Sequence, residues 1–296
     1  MSVVLETIMK RMVNTKKPFE WVRDEPTEDD LRHIQKEGKE SPSIYDQLDL
    51  RGQMIDELQA GRAVLKVWRG GYAKVLAVVY PDTKIPWATF GKIFTAFGPP
   101  PKGSASWRIV WFAHPKKREF PSPAPGFQTP SNITNERAPV PQKEGQVTHV
   151  TPKHINGGYA YACAPETIVI YREEEVERVL IHELLHAACT DDMDKPEWLR
   201  EVLTETWAEL FLVAILANGS LRKAKQLWKI QAQWIANQQH LLTTEYGVLT
   251  PDSFPWRYTV GRASALQNLG ITLPPASSQP RADLANSLRF TSPYLL

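Results

Sequence analysis

The chain is poor in cysteine, in net charge and in long apolar runs, and each shortage excludes a class of protein. It has 2 cysteines in 296 residues, so neither a disulfide framework nor a cysteine-rich zinc site is expected. A formal net charge of +2 gives no electrostatic reason to expect binding to nucleic acid or an anionic membrane. No apolar run is long enough to span a membrane, and residues 1–14 lack a signal-peptide core. These shortages predict an intracellular protein without membrane segments.

The most informative stretch is residues 179–209, which contains His182-Glu183-Leu184-Leu185-His186. In a helix, His182 and His186 lie one turn apart on the same face. Two imidazoles so placed can share a zinc ion, and Glu183 can take a proton from a water that zinc polarises. The alternative is an amphipathic helix with two incidental histidines. We therefore interpret the stretch as a candidate metal centre, with Glu183 as general base.

A third ligand is expected on the next helix. The polar residues 191–196 predict a break, after which a helix runs from Glu197 towards Leu216. Zinc hydrolases recurrently use two histidines and one glutamate, and Glu205 follows His186 after eighteen residues. Glu209 lies one turn beyond Glu205 and could accept a hydrogen bond from the outer nitrogen of His182.

This pattern resembles that of the gluzincins, the thermolysin-like peptidases and zinc aminopeptidases. The matching residues are His182-Glu183-Leu184-Leu185-His186 and, after eighteen residues, Glu205-Thr206-Trp207-Ala208-Glu209. The resemblance implies a Zn²⁺ cofactor held by His182, His186 and Glu205, with Glu209 behind them. A looser resemblance, carried by residues 168–175, is to uncharacterised metallopeptidases of large DNA viruses, and it leaves a viral origin open.

Two other residues could supply the third ligand. Asp192 occupies the position of the last ligand in the metzincin motif, but the glycine that allows the sharp turn there is replaced by Cys189. Cys189 could itself bind zinc as a thiolate, although such a cysteine is more often a small buried side chain. The alternatives remain open from the sequence.

The order of predicted elements indicates an α+β, zincin-like fold. We expect a helical N-terminal extension (1–61), an upper subdomain (62–190), a helical lower subdomain (191–272) and an irregular, mobile tail (273–296). The upper subdomain should hold a mixed, twisted sheet with an edge strand above the H-E-x-x-H helix. Individual predictions include helices at 27–36, 43–58 and 86–97, a hairpin over 64–80, and strands at 107–113, 146–150 and 166–171.

Two further segments carry functional predictions. Residues 114–146 are rich in proline and polar residues, which predicts a mobile insertion or a segment that binds a protein partner. Gly158, Tyr159 and Ala160 alternate small and aromatic side chains, as in an edge strand that binds extended substrate by strand addition. A plain glycine loop is the alternative for the second segment.

The leading hypothesis is a zinc-dependent metallopeptidase that acts on a peptide or protein substrate. Gluzincins usually add a hydroxyl or imidazole that stabilises the oxyanion, and Tyr258 is the first candidate, ahead of His240, Tyr246 and Tyr159. The G-x-M-E-N signature of aminopeptidases is absent, which favours an endopeptidase. One alternative is a zincin-like structural or binding protein, such as a component of a viral particle, whose activity is latent or lost. Another is a protease of DNA–protein crosslinks, which the low net charge disfavours.

Overall fold

The computed structural model describes residues 3–12, 19–41, 44–101, 103–121, 150–277 and 287–295. In these residues the protein is a mixed α+β structure with one open, mixed sheet of six strands. The strands are β1 (Trp21–Asp24), β2 (Val64–Gly70), β3 (Ala73–Val79), β4 (Trp107–Phe112), β5 (Gly158–Ala160) and β6 (Ile168–Ile170).

The strand order across the sheet is β1-β2-β3-β4-β6-β5. The hairpin of β2 and β3 is antiparallel, as predicted, and turns through Gly71 and Tyr72. Strands β3, β4 and β6 are parallel neighbours, and β5 runs antiparallel to β6. The short strand β5 is therefore an edge strand, and among the described residues no other strand pairs with its outer side.

The helices cover both faces of the sheet and extend beyond it. They are α1 (Val3–Met12), α2 (Glu28–Gln35), α3 (Leu50–Gln59), α4 (Trp87–Phe97), α5 (Pro152–Ile155), α6 (Val176–Ala187), α7 (Glu197–Ala217), α8 (Leu221–Thr244), α9 (Phe254–Tyr258) and α10 (Val260–Asn268). A π-helical turn, Lys36–Glu40, follows α2. Helix α2 begins at the predicted capping box, in which the side chain of Thr27 accepts from the N–H of Asp30 and the Asp30 carboxylate accepts from the N–H of Thr27.

Successive residues of the central strands face two separate cores. Val75, Ala77 and Trp111 pack on one side with helices α4, α6 and α7. Leu76 and Val110 pack on the other side with α3. The helix that carries the histidines, α6, thus lies against one face of the sheet beside β5.

The N-terminal region is not purely helical, contrary to the prediction. Trp21–Asp24 forms β1, which pairs with β2, and Trp21 donates its indole N–H to the carbonyl of Trp87. The helix predicted at 43–58 begins only at Leu50. The strand β1 and the late start of α3 have the same cause. Short segments beside a sheet are stabilised by contacts with residues far away in the sequence, and local periodicity does not indicate such contacts.

The C-terminal tail also differs from its prediction. Residues 287–295 contain no helix, but Leu288, Phe290 and Thr291 are buried, and the carboxylate of Glu175 accepts the N–H groups of Phe290 and Thr291. The start of the proline-rich segment is likewise ordered, because Arg118 is buried and bonded to the carbonyl of Ile155. The rest of that insertion, 122–149, lies outside the described residues, as does most of the strand predicted at 146–150. None of the described helices is long and apolar enough to cross a membrane.

Candidate metal centre

Helix α6 presents its two histidines to a cleft while its opposite side packs in the core. Leu180 and Leu184 are fully buried against the sheet. The spacing of four residues brings the rings of His182 and His186 to a centroid separation of 4.7 Å. Their Nε2 atoms lie 3.0 Å apart. The predicted imidazole pair is therefore present, with both Nε2 atoms directed at one point.

The third group at this point is Glu201, on α7. Its Oε2 lies 3.5 Å from Nε2 of His182, and its Oε1 lies 3.7 Å from Nε2 of His186. One ligand atom from each of the three residues lies within 4.8 Å of the other two. His182, His186 and Glu201 could thus hold a metal ion.

This arrangement corrects the sequence prediction for Glu205. The carboxylate of Glu205 lies behind His182, with Oε1 3.1 Å from Nδ1, and forms an ion pair with Arg178. Glu201 and Glu205 share one face of α7, so either could meet the histidines. The position of α7 along α6 decides between them, and it brings Glu201 to the inner nitrogens and Glu205 to an outer one.

Glu209 also lies away from the position predicted for it. Its carboxylate forms a 2.9 Å ion pair with Arg262 and lies 3.6 Å from Nε of Arg178. Glu205 takes the place beside the outer nitrogen of His182 that was expected for Glu209.

His186 has a carboxylate partner that the sequence analysis missed. Oδ2 of Asp191 lies 2.7 Å from Nδ1 of His186, and Oδ1 lies 3.5 Å from the hydroxyl of Thr204. The neighbouring Asp192, considered as a ligand from the sequence, is exposed and pairs with Lys195. The sequence does contain a signal for this contact, because Asp191 follows His186 by five residues and lies just after the end of α6.

The donor set fits a cation. Carboxylates face Nδ1 of both His182 and His186, which favours the tautomers with the proton on Nδ1. In these neutral tautomers both Nε2 atoms carry lone pairs that point at each other and at the carboxylate of Glu201, so a proton or a metal cation is required between them. Three electron-rich groups repel one another at these distances unless a positive charge lies between them.

The pKa values of the two imidazoles also indicate that the site favours a positive charge. Burial lowers the pKa of His182 to about 4, so this ring is neutral at physiological pH. Burial alone would lower the pKa of His186 too, but its hydrogen bond to Asp191 and the charges of Glu201 and Glu183 raise it to about 9. His186 thus keeps its proton at neutral pH, because the neighbouring carboxylates stabilise its positive charge.

Glu183 lies beside this point and against the edge strand. A β-carbon on Gly158 would come within 2.9 Å of its Oε1 and within 2.7 Å of Val179 Cγ1. Only glycine allows β5 to approach α6 so closely. Burial raises the pKa of Glu183 to about 8.

The cleft has a volume of about 390 Å³ and contains these groups. Gly158 and Ala160 line it together with Glu183. Tyr159 borders it too, but its hydroxyl is buried, where it accepts from Arg51 and donates to Glu37. Gly158, Tyr159 and Ala160 are thus all at the cleft, but the side chain of Tyr159 packs on the opposite side of the strand.

Tyr258 is the only one of the four oxyanion candidates with a side chain suited to that role. It lines the cleft near Glu201 and Glu183, and burial, together with their charges, raises its pKa well above the usual value. His240 and Tyr246 are not among the residues that line the cleft, and the Tyr159 hydroxyl is already bonded on both sides.

A disulfide joins Cys163 to Cys189, next to Ala162 and close in sequence to Asp191, which both line the cleft. It joins the segment after β5 to the segment after α6, and the N–H groups of both cysteines lie 3.1 Å from the carbonyl oxygen of His186. This corrects the expectation that Cys189 is a small buried side chain, because both cysteines are exposed. The sequence could not indicate the pairing, since it depends on β5 and α6 being neighbours.

Comparisons of this chain with protein-family models, with curated proteins and with solved structures found no match. The resemblance to gluzincins therefore depends on the motif residues alone, and the structure alters it at Glu205 and Glu209.

Proposed function

We propose that this protein is a zinc-dependent hydrolase of peptide bonds. The observation that carries the proposal is the convergence of two Nε2 atoms and the Glu201 carboxylate on one point of a cleft, beside a buried carboxyl group. Two imidazoles and a glutamate are a recurring ligand set of zinc hydrolases, and the described geometry leaves room for water beside it. His182, His186 and Glu201 would hold the ion.

Zinc bound there would supply a Lewis acid and a water of lowered pKa. Glu183 takes a proton from the attacking water and later delivers it to the leaving amine. Its raised pKa makes the carboxylate a stronger base than an exposed glutamate. Glu205 and Asp191 hold the outer nitrogens of the two histidines and so fix the orientation of both rings.

Tyr258 and β5 complete the proposed site. Tyr258 lines the cleft, and in this proposal its hydroxyl donates to the oxyanion that develops on the scissile carbonyl. An extended peptide adds to the outer side of β5 and receives backbone hydrogen bonds there. The absence of the G-x-M-E-N signature supports an endopeptidase.

The test combines metal analysis with turnover. We expect the purified protein to contain zinc at one ion per chain and to cleave unfolded protein substrates. Glu183→Gln should retain zinc and lower kcat by about 100- to 10,000-fold. Glu177→Gln is the matched control, because this glutamate lies on the same helix but outside the cleft lining.

Tyr258→Phe separates the oxyanion role from metal binding. Loss of one oxyanion donor typically lowers kcat by about 100-fold, with zinc content unchanged. A protein that binds no zinc and cleaves nothing would contradict the proposal and would favour a binding or structural role.

A further inference from the structure

Two exposed tyrosines lie at the cleft and take no part in the proposed chemistry. Tyr45 is 38% exposed and Tyr161 is 47% exposed, and both line the cleft that holds Glu183. A third apolar side chain of the lining, Met193, is 65% exposed. Large apolar side chains exposed together at one cleft usually mark a contact surface.

Tyr45 comes from the N-terminal region and is held firmly at the edge of the sheet. Its carbonyl oxygen accepts hydrogen bonds from the Tyr171 hydroxyl and the Asn156 amide. Its ring stacks on that of Tyr159, with centroids 5.3 Å apart and planes at 22°. Tyr159 is in turn fixed by Arg51 and Glu37, so the ring of Tyr45 is positioned before any ligand arrives.

Tyr161 continues the alternation of β5. Gly158 faces α6, whereas Tyr159 packs in the core on the opposite side of the sheet. Tyr161 follows two residues later and makes an edge-on contact with Tyr159, with centroids 6.1 Å apart. The side of β5 away from α6 therefore presents the rings of Tyr45 and Tyr161.

An extended chain beside β5 must divide its side chains between these two sides, because successive side chains of a strand point in opposite directions. A residue that faces Glu183 has neighbours in sequence that face the tyrosines. We propose that Tyr45 and Tyr161 form an aromatic subsite that selects a substrate with a bulky apolar or aromatic side chain next to the residue over Glu183. The inference rests on the proposed peptide hydrolysis.

The chemistry of the subsite favours an apolar occupant. Both tyrosines offer ring faces, and aromatic pairs gain from stacked and edge-on contact. Rigid aromatic rings also make contact at a low cost in conformational entropy, because few torsions are immobilised. A carboxylate in the same place would meet ring faces that repel negative charge.

The test is a set of peptides that differ at one position, which carries Phe, Leu, Ala or Asp and is moved along both sides of the scissile bond. At one position next to the residue over Glu183, wild-type protein should prefer Phe to Asp in kcat/KM. Tyr45→Ala and Tyr161→Ala should each reduce that preference about tenfold, mainly through KM. Tyr45→Phe retains the ring and should retain the preference. Tyr294→Ala removes a tyrosine of similar exposure outside the cleft lining and should change nothing.

Binding without turnover keeps this inference distinct from the proposed function. Fluorescence anisotropy of labelled Phe and Asp peptides on Glu183→Gln should show the same preference and the same loss with Tyr45→Ala. A wild-type protein that hydrolyses none of the peptides but binds Phe in preference to Asp, with loss in Tyr45→Ala, supports the subsite and contradicts the hydrolase. Equal preference in wild type and both alanine variants overturns the subsite, whatever the activity.

Discussion

Two clusters of buried charge lie on opposite sides of His182, and they are balanced very differently. The cleft cluster consists of His182, Glu183, His186, Asp191 and Glu201. The arginine cluster behind it consists of Arg118, Arg178, Arg262, Glu175, Glu205 and Glu209. Three arginines there face three glutamates, and all three guanidinium groups lie within 6 Å of the Phe290 ring centroid.

No lysine or arginine among the described residues forms an ion pair with Glu183 or Glu201. The cleft cluster therefore has carboxylates in excess of cations, whereas the arginine cluster compensates itself. Buried charge that is internally paired can serve structure alone. An excess of buried carboxylates at a cleft is typical of a site that binds a cation.

The largest expected effect is on stability, in the arginine cluster. Arg262→Met breaks a pair in which both side chains are fully buried and leaves Glu209 without one of its two cations. Removing one member of a buried ion pair costs about 3–5 kcal/mol, which corresponds to a fall in Tm of roughly 10 °C for a chain of this size. Thermal unfolding monitored by circular dichroism measures it.

Glu201→Gln provides the contrast on the cleft side. In metal-free protein it should cost less stability than Arg262→Met, since Asp191 still pairs with His186 and no arginine or lysine loses its partner. An equal loss of stability in the two variants would remove the distinction between the clusters.

The second expected effect is on metal affinity. Glu201→Gln should weaken zinc binding by at least about 100-fold, because a ligand is lost, whereas Glu205→Gln removes only an outer partner and should cost about 10- to 100-fold. Competition with a chromophoric chelator measures both affinities. If Glu205→Gln has the larger effect, the ligand is Glu205 and α7 is displaced from the described position.

A third effect concerns the pH dependence of stability in metal-free protein. The pKa of Glu183 is raised from 4.5 to about 8, so its contribution to stability is complete below pH 4.5 and is lost as the pH rises through 8. Glu183→Gln does not titrate. The variant should therefore gain stability relative to wild type as the pH rises from 4.5 to 8, as measured by urea unfolding at each pH. A constant difference across that window would mean that Glu183 is not buried as described.

The smallest effect is expected at the contact between the edge strand and the cleft cluster. Gly158→Ala places a methyl group 2.9 Å from Oε1 of Glu183 and should displace that carboxyl, at a cost of about 1–3 kcal/mol. We expect kcat to fall by about tenfold with zinc affinity unchanged. Gly71→Ala is the control, because the nearest atom to its added carbon is 3.9 Å away. Full activity in Gly158→Ala would show that β5 does not position Glu183.

Sequence patterns predicted the structure correctly where the interactions join residues close together in the chain. Helical periodicity places His182 above His186, the Thr27 and Asp30 pair caps α2, and Arg69-Gly70-Gly71 marks the hairpin. The structure departs from the predicted positions of Glu205 and Glu209 and from the mobile tail expected around Phe290. In each case the partner lies on a different element, and the spacing along the chain says nothing about how two elements are aligned.

Helical periodicity alone places two imidazoles and the Glu183 carboxylate on one side of α6, because a repeat of 3.6 residues sets which side chains share a face. The tertiary structure alone decided that Glu201 faces the inner nitrogens and Glu205 an outer one, and that Tyr45 reaches the cleft from the opposite end of the chain. Such choices depend on shifts of a single helical turn between packed elements. They are set by the summed packing of the whole core and by no single residue.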